Sequence, residues 1–277
     1  YDQTSSATLG SGSYVLNGFV AGEGASVTKT TGNYTDTNLA VTKNVVEAMK
    51  VTTSLAAGDF TANTGTLLSN YILPTVATGN GSITPLALTV SGLTVQSKVY
   101  DGTTAAVATG TAVLGGIYSG DNVGINVSGL TANFADANAG LNKAVNLSGV
   151  TLTGNPIDTA NYMTQGVSGV NGTITPKALT ITGSNIAARD YDGTTNAVVS
   201  TGSLVGLVGN ETLAVGGAGT FASKNVGSYQ VGVTYTLGNG TTNVQNNTTG
   251  GLASNYTLSG ETLNGAITPA SLVISTS

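Results

Sequence analysis

Few side chains in this sequence are suited to chemistry. The chain has 277 residues and contains no His and no Cys, which removes the commonest general base and the thiol nucleophile. Glu47, Glu211 and Glu261 could act as a catalytic carboxylate pair only if two of them converged in a cleft, and no recurring placement of these acids is evident. We therefore predict that the protein is not an enzyme and needs no cofactor.

A second set of candidate residues lies in the short sequence motif Tyr-Asp-Gly-Thr-Thr; such repeated motifs are called words below. Aspartate accepts backbone N–H groups in turns, and glycine takes a positive φ without strain. The tyrosine is expected to bury its ring at the start of the word, so that Tyr191→Ala would cost about 3–5 kcal/mol. We therefore interpret the word as structural and not as a ligand site. Its members are Tyr100, Asp101, Gly102, Tyr191, Asp192 and Gly193.

Other reactive or ligand-binding arrangements are weaker alternatives. Residues 119–122, Ser-Gly-Asp-Asn, offer oxygen atoms that suit calcium, but the EF-hand spacing is absent. A Lys–Asn crosslink is not expected, because Lys43, Lys143 and Lys224 do not share one aligned position. Numerous Asn-x-Ser/Thr triplets permit glycosylation, although this composition alone produces many such matches. No metal site is predicted.

The composition favours strands and turns. Only 8% of residues are charged and 40 are Gly, whereas β-branched residues are abundant, so we predict an all-β fold. A net charge of −5 with eight basic residues argues against nucleic acid as a partner. No run of 18 apolar residues is present, so no membrane span is predicted. The sequence starts at Tyr1 without Met, and we expect a segment excised from a longer chain.

Four landmarks occur three times in the same order. The units are about 90–100 residues long, which is the size of an independent domain. The landmarks are Tyr-Asp at Tyr1, Tyr100 and Tyr191; an aromatic residue four before an asparagine at Tyr34/Asn38, Phe134/Asn138 and Phe221/Asn225; Asn-Tyr ending at Tyr71, Tyr162 and Tyr256; and Ile-Thr-Pro ending at Pro85, Pro176 and Pro269.

Within each unit, apolar residues alternate with polar ones, as in half-buried strands. The predicted architecture is a series of small Ig-like β-sandwiches, in which Tyr71, Tyr162 and Tyr256 are similar to the buried corner tyrosine of that fold. Small β-grasp-like domains with a short helix are the alternative. Asn38–Val51 is the helix candidate, but its apolar spacing is irregular.

The words Asn-Gly-x-Ile-Thr-Pro predict domain boundaries. Asn-Gly favours a type I′ hairpin turn, and the apolar phase shifts by one residue across each proline, which turns side chains to the other face. The predicted segments are residues 1–85, a repeat without its first strand; 86–176 and 177–269, two complete repeats; and 270–277, the first strand of a following repeat or a donor strand. Leu272, Val273 and Ile274 are the predicted assembly residues of that strand.

The words KVYDGTT, ARDYDGTT, NYTLSG, FASKNVGSY and ITPKALTITG resemble the YDG-type repeats of large bacterial surface exoproteins. Those proteins are similar to filamentous-haemagglutinin-like adhesins secreted by the two-partner route. The resemblance is weaker in the first repeat, where Gln3 replaces the glycine. It implies an extracellular, β-rich stalk at the bacterial cell surface and supplies no catalytic residue.

The expected function is therefore that of a structural segment in an adhesin stalk or fibre that gives reach. Head-to-tail assembly with other copies or further repeats, through the terminal strand, is a further expectation. The alternative is a receptor- or glycan-binding adhesin domain whose partners are host or cell-surface glycans or proteins. Such a domain should carry exposed aromatic residues in an insertion of its own, and no such insertion is visible.

Overall fold

The computed structural model describes residues 1–167 and 169–275, whose regular secondary structure is nearly all β-strand. The predicted all-β class is confirmed. The helix candidate Asn38–Val51 is wrong: this stretch is a loop with one bridge, and it leads into a strand that starts at Lys50. Its irregular apolar spacing provides no continuous face that a helix could bury.

The strands follow one another closely along the chain. In the first repeat they are β1 (Ser6–Thr8), β2 (Ala25–Val27), β3 (Thr31–Thr35), β4 (Lys50–Ser54), β5 (Phe60–Ala62) and β6 (Val76–Asn80). In the second they are β7 (Leu86–Val95), β8 (Lys98–Val99), β9 (Ala105–Ala106), β10 (Ala108–Gly115), β11 (Val123–Asn126), β12 (Thr131–Phe134), β13 (Gly140–Ser148), β14 (Thr151–Gly154), β15 (Tyr162–Thr164) and β16 (Asn171–Thr175).

The third repeat contains β17 (Lys177–Thr182), β18 (Asn185–Ile186), β19 (Arg189–Asp190), β20 (Asn196–Ala197), β21 (Val199–Ser200), β22 (Ser203–Val205), β23 (Glu211–Thr220), β24 (Gly227–Asn239), β25 (Thr249–Gly250), β26 (Tyr256–Leu258) and β27 (Glu261–Thr268). The α-helix is α1 (Pro156–Ala160), and the 3-10 turns are Ser11–Ser13, Ala57–Asp59, Leu68–Asn70 and Ala253–Asn255.

One sheet topology occurs in all three repeats. The strand orders are β1-β3-β4-β6, β9-β12-β13-β16-β8 and β20-β23-β24-β27-β19. The backbone nitrogen of each Tyr-Asp tyrosine donates to the carbonyl of the Ile-Thr-Pro threonine. The peptide N–H groups of Tyr100 and Tyr191 donate to Thr175 and Thr268, both at 2.8 Å, and the amino group of Tyr1 donates to Thr84 at 2.6 Å. Two of the sequence landmarks are therefore joined directly at the sheet edge.

A second, smaller sheet contains the strand that opens the repeat. β7 lies between β10 and β15, and β17 lies between β22 and β26, with parallel pairing to β15 and β26. The chain therefore changes sheets across Pro85 and Pro176, where the apolar phase shifts. The domain boundaries drawn at these prolines remain a prediction.

The predicted Asn-Gly hairpin turns are wrong. Asn171 and Gly172 lie inside β16, and Gly265 lies inside β27; neither glycine has a positive φ. Each glycine instead lies against an aromatic ring, because a Cβ would come within 2.8 Å of Phe134 at Gly172 and of Phe221 at Gly265. Close packing of the landmark aromatic residue explains the glycine, not turn geometry.

The described residues form two compact units. The first comprises residues 1–93, 110–130 and 148–167, and the second comprises residues 94–109, 131–147 and 169–275. Each unit has a buried apolar core. In the first unit one cluster is Val27, Leu55 and Phe60. In the second it is Ile186, Phe221, Val231, Val233 and Ile267. Each unit thus combines parts of two consecutive repeats.

Residues 270–275 form no strand, and Thr276 and Ser277 lie outside the described residues. Leu272, Val273 and Ile274 are 95%, 91% and 93% exposed. The predicted opening strand is therefore an exposed apolar segment without a pairing partner among the described residues.

Candidate functional site

The Tyr-Asp-Gly word forms the same turn three times. Oδ1 of Asp2, Asp101 and Asp192 accepts both the N–H and the hydroxyl of the threonine two residues later, at 2.8–2.9 Å. These bonds lower the pKa of Asp2, because they stabilise its ionised form. The aspartate carboxyl therefore stabilises the backbone of the turn.

The third residue of each turn adopts left-handed backbone geometry. φ is 77° at Gly102 and 80° at Gly193, and Gln3 adopts the same conformation with φ of 63°. The replacement of glycine in the first repeat therefore leaves the turn unchanged. The Gln3 amide offsets the strain by donating to the Ser119 carbonyl and to Asp121, both at 3.2 Å.

A cation precedes the turn in two repeats. Lys98 Nζ contacts Asp101 at 2.8 Å and lies 5.9 Å from the centroid of the Phe134 ring. Arg189 contacts Asp192 in the same way, and its guanidinium lies 5.5 Å from the centroid of Phe221. The cation therefore connects the turn to the buried aromatic residue of the same repeat.

The Tyr100 ring lies in a buried cluster that we call the second junction, formed by Tyr100, Glu211 and Tyr256. The Tyr100 hydroxyl donates to Glu211 Oε1 at 2.6 Å, and the Tyr256 hydroxyl donates to Oε2 at 2.6 Å. The ring centroids are 5.3 Å apart in an edge-to-face arrangement, and the two tyrosines are 5% and 4% exposed. This cluster joins the Tyr-Asp tyrosine of the second repeat to the third.

The first junction has the same design and consists of Tyr1, Asp121 and Tyr162. The hydroxyls of Tyr1 and Tyr162 donate to Asp121 Oδ2 at 2.9 Å and 2.6 Å. The two rings are 5.4 Å apart at an interplanar angle of 75°, and the Tyr118 ring packs on Tyr1 at 5.9 Å. A tyrosine of the first repeat is thus held by a carboxylate and a tyrosine of the second.

Burial and the carboxylate partner make the junction tyrosines weak acids. Burial, reinforced by the hydrogen bond to Glu211, raises the pKa of Tyr100 to about 12, and burial with the bond to Asp121 raises that of Tyr162 to about 12. Burial raises the pKa of Asp121, but hydrogen bonds from Tyr162, Tyr1 and Gln3 outweigh it and the net pKa is lowered. At neutral pH the first junction therefore holds neutral tyrosine donors on an ionised Asp121, which suits cohesion and not proton transfer.

A buried asparagine completes each junction. Asn255 is 1% exposed; its Oδ1 accepts the N–H of Ala139 at 2.8 Å, and its amide donates to Asn138 Oδ1 at 3.1 Å. Asn161, which is 0% exposed, makes the same pair of bonds with the N–H of Val45 at 2.8 Å and with Asn44 at 3.1 Å. The equivalent of Asn138 in the first repeat is therefore Asn44 and not the landmark Asn38, because the loop there is longer.

Two sites contain only part of a junction, and the residues that would complete them are absent from the described residues; we call these sites half-junctions. Tyr191 is 39% exposed, so the prediction that its ring is buried is wrong. Tyr1 and Tyr100 are covered by residues of the repeat that follows each of them, whereas no residue among those described covers Tyr191 in this way. In the first repeat, Tyr71 donates to Glu23 and packs on Phe19 with centroids 4.7 Å apart, but no Tyr-Asp tyrosine joins them. Asn70, the equivalent of Asn255, is exposed.

The expectation that Glu211 has no equivalent in the other repeats is wrong, because each repeat carries a carboxylate at this position. Glu23, Asp121 and Glu211 each follow a glycine by five residues, in the words Gly-Phe-Val-Ala-Gly-Glu, Gly-Ile-Tyr-Ser-Gly-Asp and Gly-Leu-Val-Gly-Asn-Glu. In each word the N–H of the third residue donates to the tyrosine of the Asn-Tyr landmark, at 3.2 Å, 3.0 Å and 3.0 Å. The distance from the glycine to the carboxylate is the same in all three repeats, but the residues between them differ, so comparison of residue identities does not reveal the recurrence.

The remaining candidates have other roles. Asp121, the acid of the calcium candidate, is occupied by tyrosine hydroxyls. Glu47 accepts from Thr42 and Asn44, and Glu261 accepts from Tyr235. Within residues 1–167 and 169–275, no three His, Cys, Asp or Glu residues lie close enough to hold a metal ion. The same residues include no helix long and apolar enough to cross a membrane.

Comparison with protein families identifies a repeated domain. The profile of the YDG domain matches residues 84–169 and again residues 175–263. These two ranges include both complete sets of junction residues contributed by the second and third repeats. Searches of curated proteins and of solved structures gave no significant match.

Proposed function

The chain belongs to the YDG domain family, and from this premise we propose that it is a structural repeat segment of an extracellular adhesin stalk or fibre on a bacterial cell. Its task is to hold consecutive repeats together and so to give reach. This role is mechanical and requires no catalysis.

One observation carries the proposal: the residues of the repeated Tyr-Asp and Asn-Tyr words form contacts between repeats. Tyr1 and Tyr100 from the Tyr-Asp word and Asn161 and Asn255 from the Asn-Tyr word are all occupied by a neighbouring repeat. A motif used for a substrate would leave polar atoms facing a cleft. A motif that joins one repeat to the next is what a stalk requires.

The adhesin setting is supported by the sequence. The repeated words resemble those of filamentous-haemagglutinin-like exoproteins. The lack of Cys is compatible with export of an unfolded chain, since no disulfide has to be formed or broken during passage. A low content of charged side chains also leaves many uncharged polar residues on the surface.

Immunogold electron microscopy of the native bacteria, with antibodies raised against the 277-residue chain, tests this proposal. We expect label outside the cell, along threads or stalks. Cells from which the gene has been deleted serve as the control and should carry no label. Label confined to the cytoplasm, or a signal from free compact particles only, would refute the stalk role.

A further inference from the structure

The third repeat begins and ends with a strand. β17 starts at Lys177, directly after Pro176, and β27 ends at Thr268, directly before Pro269. Tension applied along the chain therefore enters this repeat at the start of β17 and leaves it at the end of β27. The response of the repeat to tension depends on how these two strands are held.

Neither of the two strands lies at the edge of its sheet. β17 lies between β22 and β26, and β27 lies between β19 and β24. β17 has three residues in register with each of its neighbours, and β27 has seven in register with β24 and two with β19. Because each strand is paired on both sides, neither can leave the repeat by separating from a single neighbour.

The beginning and the end of the repeat run in the same direction. Lys177 is in register with Tyr256 in the parallel pair β17–β26, and Asp190 is in register with Thr268 in the parallel pair β19–β27. Tension therefore enters beside the start of β26 and leaves at the end of β27, which follows β26 closely in the chain. It pulls β17 and β27 lengthwise and in opposite directions.

Lengthwise pulling stretches many hydrogen bonds together. Bonds between strands lie across the strand direction, so that sliding one strand past its neighbour strains every bond of the pair at once, whereas peeling breaks one pair at a time. Leu179 on β17 and Ile267 on β27 are 5% and 2% exposed, and sliding also has to draw these side chains out of the core. Separation along the chain therefore requires more force than separation across it.

A threonine holds the last strand at the point where tension leaves. The carbonyl of Thr268 accepts the N–H of Tyr191 at 2.8 Å, and its hydroxyl donates to the Arg189 carbonyl at 3.1 Å and to Asp190 Oδ1 at 2.7 Å. The proline that follows has no N–H and cannot extend the pairing. Thr268 is thus the last residue of β27 that the sheet holds.

The second repeat has the same features. β7 pairs in parallel with β15, and β8 pairs in parallel with β16. Thr175 accepts the N–H of Tyr100 at 2.8 Å and donates its hydroxyl to the Lys98 carbonyl at 3.2 Å. Pro176 alone separates β16 from β17, so tension passes from the last strand of one repeat to the first strand of the next without a flexible linker.

We propose that the paired first and last strands form a clamp that keeps the repeat folded under tension along the chain. In the third repeat the clamp consists of β17 with β26 and of β19 with β27. The inference rests on the proposed stalk function and specifies the force that a stalk has to withstand, namely the pull between a cell and whatever the stalk holds. The clamp depends on direction: it resists pulling along the chain and yields to pulling across it.

Single-molecule force spectroscopy on the full chain tests this dependence on direction. Because the chain contains no Cys, two introduced cysteines define where the handles are attached. Lys177→Cys with Ala270→Cys pulls along the chain. Val226→Cys with Ala270→Cys is the control, because it pulls the end of β27 away from the start of β24, next to the paired Gly227 and Ile267.

At equal pulling speed we expect unfolding along the chain to need at least about twice the force of the control, since forced unfolding is governed by the barrier that the pulling direction meets. We also expect a single step that releases about 300 Å of chain, which is the extended length of the repeat less its folded length.

A pair of threonine variants tests the end of the clamp. Thr268→Val removes the hydroxyl bonds and should shorten the lifetime of the repeat at constant force by about fivefold. Thr262→Val makes the same chemical change on the same strand and should stay within about twofold. Both threonines are exposed, so circular dichroism should report unchanged folding of both variants.

Three results would overturn the inference: equal forces in the two directions, extension from Lys177 without a distinct rupture, or equal lifetimes of the two threonine variants. None of these would affect the surface localisation measured by immunogold labelling, and absence of that label would leave the measured forces unchanged. Failure of the clamp is therefore distinguishable from failure of the stalk proposal.

Discussion

Truncation of Asn255 offers a direct measure of junction strength. Asn255→Ala removes an acceptor from the Ala139 N–H and a donor from Asn138 Oδ1. A buried polar group left without a partner costs about 1–3 kcal/mol, and two such groups are created here. Because the Ala139 contact is only partly buried, we expect a total loss of about 2–3 kcal/mol from the free energy of unfolding.

Asn70→Ala is the matched control. Asn70 ends the 3-10 turn Leu68–Asn70 and precedes a tyrosine, just as Asn255 ends Ala253–Asn255, but its side chain is exposed. The local cost of changing asparagine to alanine is therefore the same at both positions. We expect a change under about 0.5 kcal/mol for Asn70→Ala.

Urea unfolding followed by tyrosine fluorescence gives the free energies, since the chain has no Trp. Hydrogen exchange adds a local measurement, because the Ala139 amide should exchange faster in Asn255→Ala and unchanged in Asn70→Ala. Equal losses in both variants would mean that the asparagine serves only its own turn. A neutral Asn255→Ala with a slow Ala139 amide would refute the junction argument.

Three further outcomes are expected. Tyr100→Ala should cost about 3–5 kcal/mol in urea unfolding, whereas Tyr191→Ala, at an exposed position, should cost less than about 1 kcal/mol; similar losses would contradict the junction geometry. Burial raises the pKa of Tyr100 from 10.0 to about 12, so its stabilisation is complete below pH 10 and lost as the pH rises toward 12; an ultraviolet titration in which all tyrosines ionise at pH 10 with the fold intact would refute this. Gly102→Ala and Gly193→Ala each introduce about 1 kcal/mol of left-handed strain, and Gly102→Ala should be the worse in thermal unfolding because its Cβ would meet Val208 Cγ1 at 2.9 Å; a milder Gly102→Ala would show that this contact relaxes freely.

Much of the fold could be predicted from the recurring sequence motifs. The Tyr-Asp and Ile-Thr-Pro words mark a hydrogen bond that closes each sheet, at Tyr100 and Thr175 for example, and alternation correctly indicated strands. The Asn-Gly words predicted hairpin turns that do not form, because the glycine is required by the aromatic ring that packs on it, as Phe134 packs on Gly172, and not by a turn. A tertiary contact of this kind has no local signature.

The candidate site was harder to predict for two physical reasons. The burial of a tyrosine depends on which repeat covers it, so identical words at Tyr100 and Tyr191 have different surroundings. The shared carboxylate is aspartate in one repeat and glutamate in the others, so a comparison of residue identities does not show that Asp121 and Glu211 are equivalent. Chemical role, and not residue identity, is what recurs at this position.

The junctions also bear on how such a chain can change length. Tyr1 and Tyr100 offer the same hydroxyl, and Asp121 and Glu211 accept it in the same way. Removal of residues 86–176 would bring Tyr1 to the partners that Tyr100 has now, and Asn44 to Asn255, without requiring any new kind of contact. A gene that encodes such repeats can therefore gain or lose whole units by recombination while every surviving interface keeps its chemistry, so that length becomes a quantity that varies in steps of one repeat.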